Sequence, residues 1–350
     1  MLARAPRFWD RSGSTLGTLL TPLGWLVGAI TLRRMAQPGV GVSVPVLCIG
    51  NPTVGGSGKT PTVIAVLAAL SARGARPYAL LRGHGGREHG PLRVDPALHG
   101  THAVGDEALL LARHAPTIVA RDRVAGARLA LAHGASHVVM DDGFQNPALV
   151  KDASLLVLDG RGAIGNGQVL PAGPLRAPMG PQVARADAVL IVGEGEAGRA
   201  AAVAAGAKQI WSGRLDPTPA AARALRGQRL LAFAGIGRPE KFFATLSALG
   251  ADVVESQSFP DHHPYTPAHI AALIRRAQSA GLTAITTEKD MVRLSDSAFA
   301  ALRPDLHSLP VRMVLDDALA LNTLIERAEA AFAARQNAGS RSKRPSAIQT

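Results

Sequence analysis

Short apolar runs bounded by glycine and polar turns recur along this chain. Between them lie longer segments whose apolar residues fall at helical spacing. The runs at residues 44–49, 76–83, 117–120, 137–140, 154–159 and 188–192 read as strands. The segments GKTPTVIAVLAALSARG, AVGDEALLLARHAP and RDRVAGARLALAHGA read as helices between the first of them. A second series begins near residue 220, with strands at 230–236, 252–258, 284–287 and 311–315 and a final helix at 316–335. Alternating strands and helices predict an α/β protein with two parallel-sheet domains. The expected division is residues 1–39 as an N-terminal membrane-associated helix, 40–218 as a larger α/β domain, 219–335 as a smaller one, and 336–350 as a disordered basic tail.

The first 39 residues break the alternation. A basic start with Phe8 and Trp9 leads into residues 12–32, which carry no charge, and Arg33 and Arg34 follow. That length approaches what a bilayer span needs. Gly13, Gly17, Pro22, Gly24 and Gly28 dilute it, however, and no small-x-small cleavage site follows. Leu16, Leu19, Leu20, Leu23, Leu26, Val27 and Ile30 recur at helical spacing, with Trp25 among them. The expectation is an interfacial helix lying on a membrane, its arginines at the headgroups. The alternative is a helix packed on the protein's own core.

Residues 44–61, VPVLCIGNPTVGGSGKTP, join an apolar strand to a helix through a glycine-rich turn. This is the layout of a phosphate-binding loop. Glycines let backbone N–H groups curl around phosphate oxygens, and the helix N-terminus adds unpaired donors and a positive dipole end. Thr53, Val54, Gly55, Gly56, Ser57 and Gly58 would wrap the phosphates of ATP. Lys59 would reach the β- and γ-phosphates, and the Thr60 hydroxyl would hold Mg²⁺. The first motif position is Thr53 where the general pattern has glycine.

Composition narrows the partners. The chain has 350 residues, 47% of them hydrophobic, and a formal charge of +12 carried mostly by arginine. Such a charge suits a phosphorylated substrate or an acidic membrane surface. Aromatic residues make up only 4%, which argues against a base-stacking platform, so no nucleic-acid partner is expected. The lone cysteine, Cys48, sits in an apolar strand and allows no disulfide framework. Metal chemistry centres on Asp141 and Asp142, which end the strand at 137–140 as Mg²⁺ ligands end such strands in nucleotide sites. Asp106 and Glu107 at a helix start are commonplace by themselves, and the Asp261-His262-His263 run lacks the partners of a zinc site. Residues 161–178 form a long Gly/Pro-rich loop, and such loops are usually functional.

In order along the chain, GNPTVGGSGKTP, LRGHGG, VGDE, ARDR, DDGFQ, LPAGPLR and FPDHHPY resemble the tetraacyldisaccharide 4′-kinase family, from about residue 6 to residue 315. The resemblance implies a two-domain kinase, monotopic on the cytoplasmic face of the bacterial inner membrane. Its implied reaction moves the γ-phosphoryl group of ATP, with Mg²⁺, to the 4′-hydroxyl of a tetraacyldisaccharide 1-phosphate, a lipid A precursor. It also implies Asp106 as the base assisted by His262, with Glu107, Asp141, Asp142 and Thr60 around Mg²⁺. Gln145, Asn166, Arg176 and either Arg121 or Arg123 would bind the lipid's sugar or phosphate. One departure is His84, where the family often has tyrosine. No obligate protein partner is expected. The rival is a phosphate-loop switch NTPase acting as a protein-binding maturation factor, which GGSGKT alone fits equally well. Such a switch has no need of LPAGPLR or DHH.

Lys59→Ala and Thr60→Ala are each expected to lose most turnover by failing to hold Mg·ATP. Near-normal turnover of either variant at saturating ATP would overturn the loop assignment.

Overall fold

The computed structural model describes residues 6–341 apart from Ser12. Nine strands build the larger sheet: β1 (Val46–Gly50), β2 (Pro77–Leu81), β3 (Leu92–Arg93), β4 (Thr117–Val119), β5 (His137–Asp141), β6 (Ala153–Asp159), β7 (Ala188–Val192), β8 (Ile210–Pro217) and, late in the chain, β13 (Val311–Leu315). The smaller sheet has β9 (Arg229–Ala234), β10 (Asp252–Ser258), β11 (Thr283–Thr287) and β12 (Leu306–Leu309). Across the larger sheet the order is β13-β8-β7-β6-β1-β5-β2-β4-β3, and across the smaller β10-β9-β11-β12. Every neighbouring pair is parallel except the two ends of the larger sheet, where β13 lies antiparallel to β8 and β3 to β4.

The central strands are buried on both sides, which explains why they read as continuous apolar runs and not as alternating ones. Successive side chains still alternate between two cores. Leu47 and Ile49 join Val63, Val66, Leu67 and Leu70 of the helix Lys59–Ala72 on one face. Val46 and Cys48 join Leu80, Ile118, Met140 and Phe144 on the other. The smaller sheet is covered the same way, with Phe233 against Ile270, Leu273 and Ile274, and Leu230 against Phe242 and Leu246.

Two features of the chain's end differ from the sequence reading. The smaller unit does not run to residue 335. Strand β13 returns to the larger sheet, and Met313, Leu324, Ile325 and Ala328 enter the larger core. The smaller unit is thus an excursion between β8 and β13. Periodicity locates a strand but not its partner, so this return was invisible. The final helix spans Ala320–Arg341, so residues 336–341 are helical where a disordered tail was expected. Arg335 fastens it, donating from Nε and Nη2 to the buried Asp152 carboxylate at 3.1 and 3.0 Å. Residues 342–350 of the expected tail lie outside the described residues. Strands β3, β8 and β12 were also missed. The first has two residues, the second is half polar, and the third is only LHSL.

The N-terminal helix, Thr15–Met35, is capped by Ser14 and lies on the loop at residues 161–178. It docks through its small residues. Gly17, Gly24 and Gly28 are buried, and a Cβ at Gly24 would stand 2.7 Å from the Val169 carbonyl oxygen. Thr21 Oγ1 donates to Gln168 Oε1 at 2.7 Å, and Trp9 Nε1 to the Pro171 carbonyl at 3.1 Å. The large apolar side chains point the other way: Leu19 is 75% exposed and Trp25 74%, with Leu16, Leu23, Leu26 and Ile30 beside them. The helix is long and apolar enough to cross a membrane by length and composition. Both sequence readings have a counterpart here, since one face packs on the protein and the other is free.

Candidate active site

Strand β1 ends in the loop at residues 51–58, whose backbone bends through Gly55 at φ 116° and Gly58 at φ 90°, a region that L side chains avoid. Thr53 needs no such freedom. It forms an antiparallel bridge with Leu175, which is why a non-glycine residue is tolerated at the first motif position. The 161–178 loop buttresses this turn. Val54 N–H donates to the Pro174 carbonyl at 2.9 Å, and Arg176 Nε to the Thr53 carbonyl at 3.1 Å.

Under the loop, β5 delivers Asp141 and Asp142. Thr60 Oγ1 lies 3.5 Å from Asp141 Oδ2, Lys59 Nζ is 3.9 Å from Asp142 Oδ1, and Arg176 Nη2 is 3.0 Å from Asp142 Oδ2. The two carboxyls titrate apart. Burial, with Glu107 and Asp142 nearby, pushes Asp141 up to about 8 against the pull of Lys59. Burial also acts on Asp142, but Lys59 and Arg176 outweigh it and hold its carboxyl below the usual range. One oxygen of each, Asp141 Oδ1 and Asp142 Oδ1, is buried without a hydrogen-bond partner. Unsatisfied hard oxygens beside a threonine hydroxyl fit a divalent cation. Among the described residues no group of three His, Cys, Asp or Glu side chains forms a cage by itself. That suits Mg²⁺, which keeps waters and takes the remaining ligands from a nucleotide's phosphates.

A second cluster forms where the two units meet. Asp106 opens the helix Asp106–Ala112, and its Oδ1 accepts the Glu107 N–H at 3.0 Å. Its Oδ2 accepts from Arg293 Nε at 3.0 Å and Nη2 at 2.7 Å, and lies 3.1 Å from His262 Nδ1. Burial would raise this carboxyl, but the His262 hydrogen bond and the charges of Lys289 and Arg293 prevail and keep it ionised. His262 Nε2 sits 3.2 Å from Lys289 Nζ. An ionised carboxylate only accepts, so the His262–Asp106 hydrogen bond is donated by Nδ1–H, with Arg293 Nη2 also 3.2 Å from that nitrogen. The His262 backbone is left-handed, φ 58°, and its main-chain N–H donates to the Gly235 carbonyl at 3.1 Å.

The other candidate residues are dispersed. Gln145 Nε2 donates to the Asn51 carbonyl and to Gln182 Oε1, which sets it beneath the phosphate loop. Arg123 is buried, bonds the Ala120 carbonyl and leaves Nε unpaired, whereas Arg121 is exposed. Asn166 spends its amide mainly inside its own loop, accepting from Gln168 N–H at 3.1 Å and donating to the Ala172 carbonyl at 2.9 Å, with the Phe8 carbonyl 3.5 Å from the same Nδ2. His84 is exposed. Sequence reasoning missed Arg293, Asp290 and Gly235. The string EKD was visible after β11, but nothing in it marks an arginine that crosses to Asp106.

A glycine loop between strand and helix, with lysine and threonine facing paired carboxylates, defines a phosphate-loop nucleotide-binding protein of the α/β class. The sequence pattern of the family described as tetraacyldisaccharide-1-P 4′-kinase matches residues 16–329, and the chain belongs to that family. It is 58% identical over 341 residues to a tetraacyldisaccharide 4′-kinase of Xanthobacter autotrophicus, covering 95% of this chain and 99% of the relative. It is 56% identical to one of Azorhizobium caulinodans, covering 96% of this chain and all of that one. The crystal structure of Aquifex aeolicus LpxK in complex with ATP superposes with a TM-score of 0.69 at 26% identity, over 90% of this chain and all of that one.

A further set of ion pairs ties the units together away from Asp106. Asp159, at the end of β6, binds Arg238 Nη1 at 3.0 Å and Lys241 Nζ at 3.2 Å, with a second bond from Arg238 Nη2. Burial raises this carboxyl, yet Arg238 and the Gly162 N–H outweigh it and bring it down to about 2. A depressed carboxyl stabilises the fold above its ordinary value and loses that contribution as pH falls toward its folded value. Wild type should therefore exceed Asp159→Asn in unfolding free energy at pH 6 by on the order of 1 kcal/mol after solvent screening. That gap should close between about pH 4 and pH 2. Chemical denaturation of both proteins across this range checks it, and a gap independent of pH would count against the pair.

Proposed function

We propose that this protein transfers the γ-phosphoryl group of ATP to the 4′-hydroxyl of a tetraacyldisaccharide 1-phosphate at the cytoplasmic face of the inner membrane. The observation that carries the reading is the nearness of two carboxylate clusters, one under the phosphate loop and one at the seam between the units, with Glu107 acting on Asp141 from beside Asp106. Asp141 and Asp142 lie under Lys59 and Thr60, and Asp106 with His262 stands where the smaller unit closes on the larger. Family membership supplies the substrate class.

The backbone N–H groups of residues 53–58 would wrap the phosphates, with Lys59 neutralising the charge that develops on the transferring group. Mg²⁺, when bound by Thr60, Asp141, Asp142 and Glu107, would supply charge stabilisation at the β- and γ-phosphates. Arg176 fixes Asp142 and the loop backbone together, so that metal ligand and phosphate cradle hold one geometry. Asp106 would take the proton of the acceptor hydroxyl. Its ion pair with Arg293 keeps it ionised and able to accept, at some cost in basicity. His262 orients it by donating from Nδ1. Gln145 and either Arg121 or Arg123 would meet the sugar or its phosphate. Asn166, whose amide is engaged within its own loop, would act on the acceptor by shaping that loop.

Transfer of labelled phosphate from γ-labelled ATP to the lipid disaccharide, with purified protein in detergent, tests the reading directly. Asp106→Asn should cut kcat far more than it weakens ATP binding, because an amide cannot take the proton. His262→Ala should cost less than Asp106→Asn, about 10²-fold at the low end for lost acid–base help. ATP hydrolysis without any lipid product would favour a switch NTPase.

For the membrane, the outward face of the Thr15–Met35 helix would enter the interface, with Arg7, Arg11, Arg33 and Arg34 at anionic headgroups. Leu19→Asp with Trp25→Asp leaves the glycine contacts alone. This double variant should lose most co-sedimentation with phosphatidylglycerol-containing vesicles while ATP binding survives. Unchanged vesicle binding would overturn the interfacial assignment.

A further inference from the structure

The short helix Glu288–Arg293 belongs to the smaller unit by sequence, following β11, yet it packs against the Asp106–Ala112 helix of the larger one. Its Val292 is fully buried within the larger unit's core. Arg293, which ends it, has a side chain only 9% exposed, and its guanidinium meets both units at once. Toward the larger unit, Nε and Nη2 bind Asp106 Oδ2 at 3.0 and 2.7 Å. Toward the smaller, Nη1 binds Asp290 Oδ1 at 2.6 Å and the Gly235 carbonyl at 2.7 Å.

Asp290 is a firm anchor for this fork. It is fully buried, and its Oδ2 accepts from the Gly235 N–H at 3.0 Å and from Thr287 Oγ1 at 2.8 Å. Gly235 is the node behind it. Its carbonyl also receives the His262 N–H, and a Cβ there would stand 2.8 Å from Tyr265 Oη and 3.2 Å from Asp290 Oδ1. One backbone residue therefore places His262 and Arg293 together, and both converge on a single oxygen of Asp106.

We propose that Arg293 is a positioning residue of the phosphoryl-transfer site, a planar fork seated on Asp290 that sets the Asp106 carboxylate and makes docking of the smaller unit a condition for its orientation. The inference rests on the reading of Asp106 as the base. Without the fork, Asp106 Oδ2 keeps only His262, and the carboxylate gains rotational freedom relative to the bound acceptor. A misplacement of about 1 Å at a reacting group costs on the order of 10²-fold in rate. Lysine is no substitute, because one ammonium on a flexible stem cannot hold two carboxylates in a fixed plane.

The experiment uses the full chain in detergent with γ-labelled ATP and the lipid acceptor under steady-state conditions, as a double-mutant cycle of Arg293→Ala and Asp106→Asn. Arg293→Ala should lower kcat about 10²-fold with the KM for ATP changed less than about threefold. Arg293→Lys should recover only part of the loss. On the Asp106→Asn background, Arg293→Ala should cost less than about threefold more, since both act through one carboxylate. Equal fold losses on the two backgrounds would overturn the proposal, as would near-normal kcat for Arg293→Ala. Should Arg293→Ala not fold because Asp290 is left uncompensated, Arg293→Met combined with Asp290→Asn removes both charges and enters the same cycle. An Asp106→Asn protein that turns over like the parent would instead sink the reading of Asp106. A slow Asp106→Asn beside a normal Arg293→Ala would sink the role of Arg293 alone.

Discussion

Taking carboxylates out of water at the carboxyl end of a sheet is costly unless cations meet them, and the architecture around this site answers that constraint. Asp106 and Asp141 are buried, Asp142 is paired with Arg176, and none of the three is freely solvated. Lys59 and Arg176 compensate Asp142, Arg293 and Lys289 act on Asp106, and at Asp141 burial and the neighbouring carboxylates of Glu107 and Asp142 outweigh Lys59 and the Thr60 hydrogen bond. Asp141 is thus the group left short of positive charge, raised to about 8 and carrying an unpaired oxygen. The electrostatic deficit is located where a cation would relieve it.

The same constraint binds the two units. Asp106 takes its compensation from Arg293 of the smaller unit, and Asp159 takes its own from Arg238 and Lys241. Packing reinforces the charges, because Val292 enters the larger core and β13 returns to the larger sheet. The smaller unit is therefore held at both ends of its excursion. Its attachment is part of the site's geometry, since the hydrogen bonds that orient Asp106 come across the seam.

The loop at residues 161–178 has a comparable joining role on the other side. Its Val169, Ala172 and Pro178 receive the glycine face of the N-terminal helix, and its Pro174 and Arg176 hold the backbone of the phosphate loop. One stretch of chain thus lies between the apolar surface of Leu19 and Trp25 and the turn at Thr53. Small residues on the helix make this possible. They let backbones approach closely and leave the bulky apolar side chains on the far face.

What the sequence by itself determined was local. Strand β1, the glycine turn and the Lys59–Ala72 helix were legible because a phosphate loop is built from contiguous residues whose backbone demands are written in glycine. Asp141 and Asp142 were legible because a run of apolar residues ending in aspartate marks a strand's carboxyl end. The alternation of short apolar runs with helical spacing likewise disclosed the α/β class. Only the tertiary structure decided the return of β13, the glycine face of the N-terminal helix as its docking face, and the meeting of Asp106 with His262 and Arg293. Strand pairing and ion pairing depend on which surfaces come together, and residues distant in the chain leave no periodic trace of a partner. Arg293 stands in a helix of ordinary composition, and it becomes part of the site only because Asp290 and Gly235 aim its guanidinium across the seam.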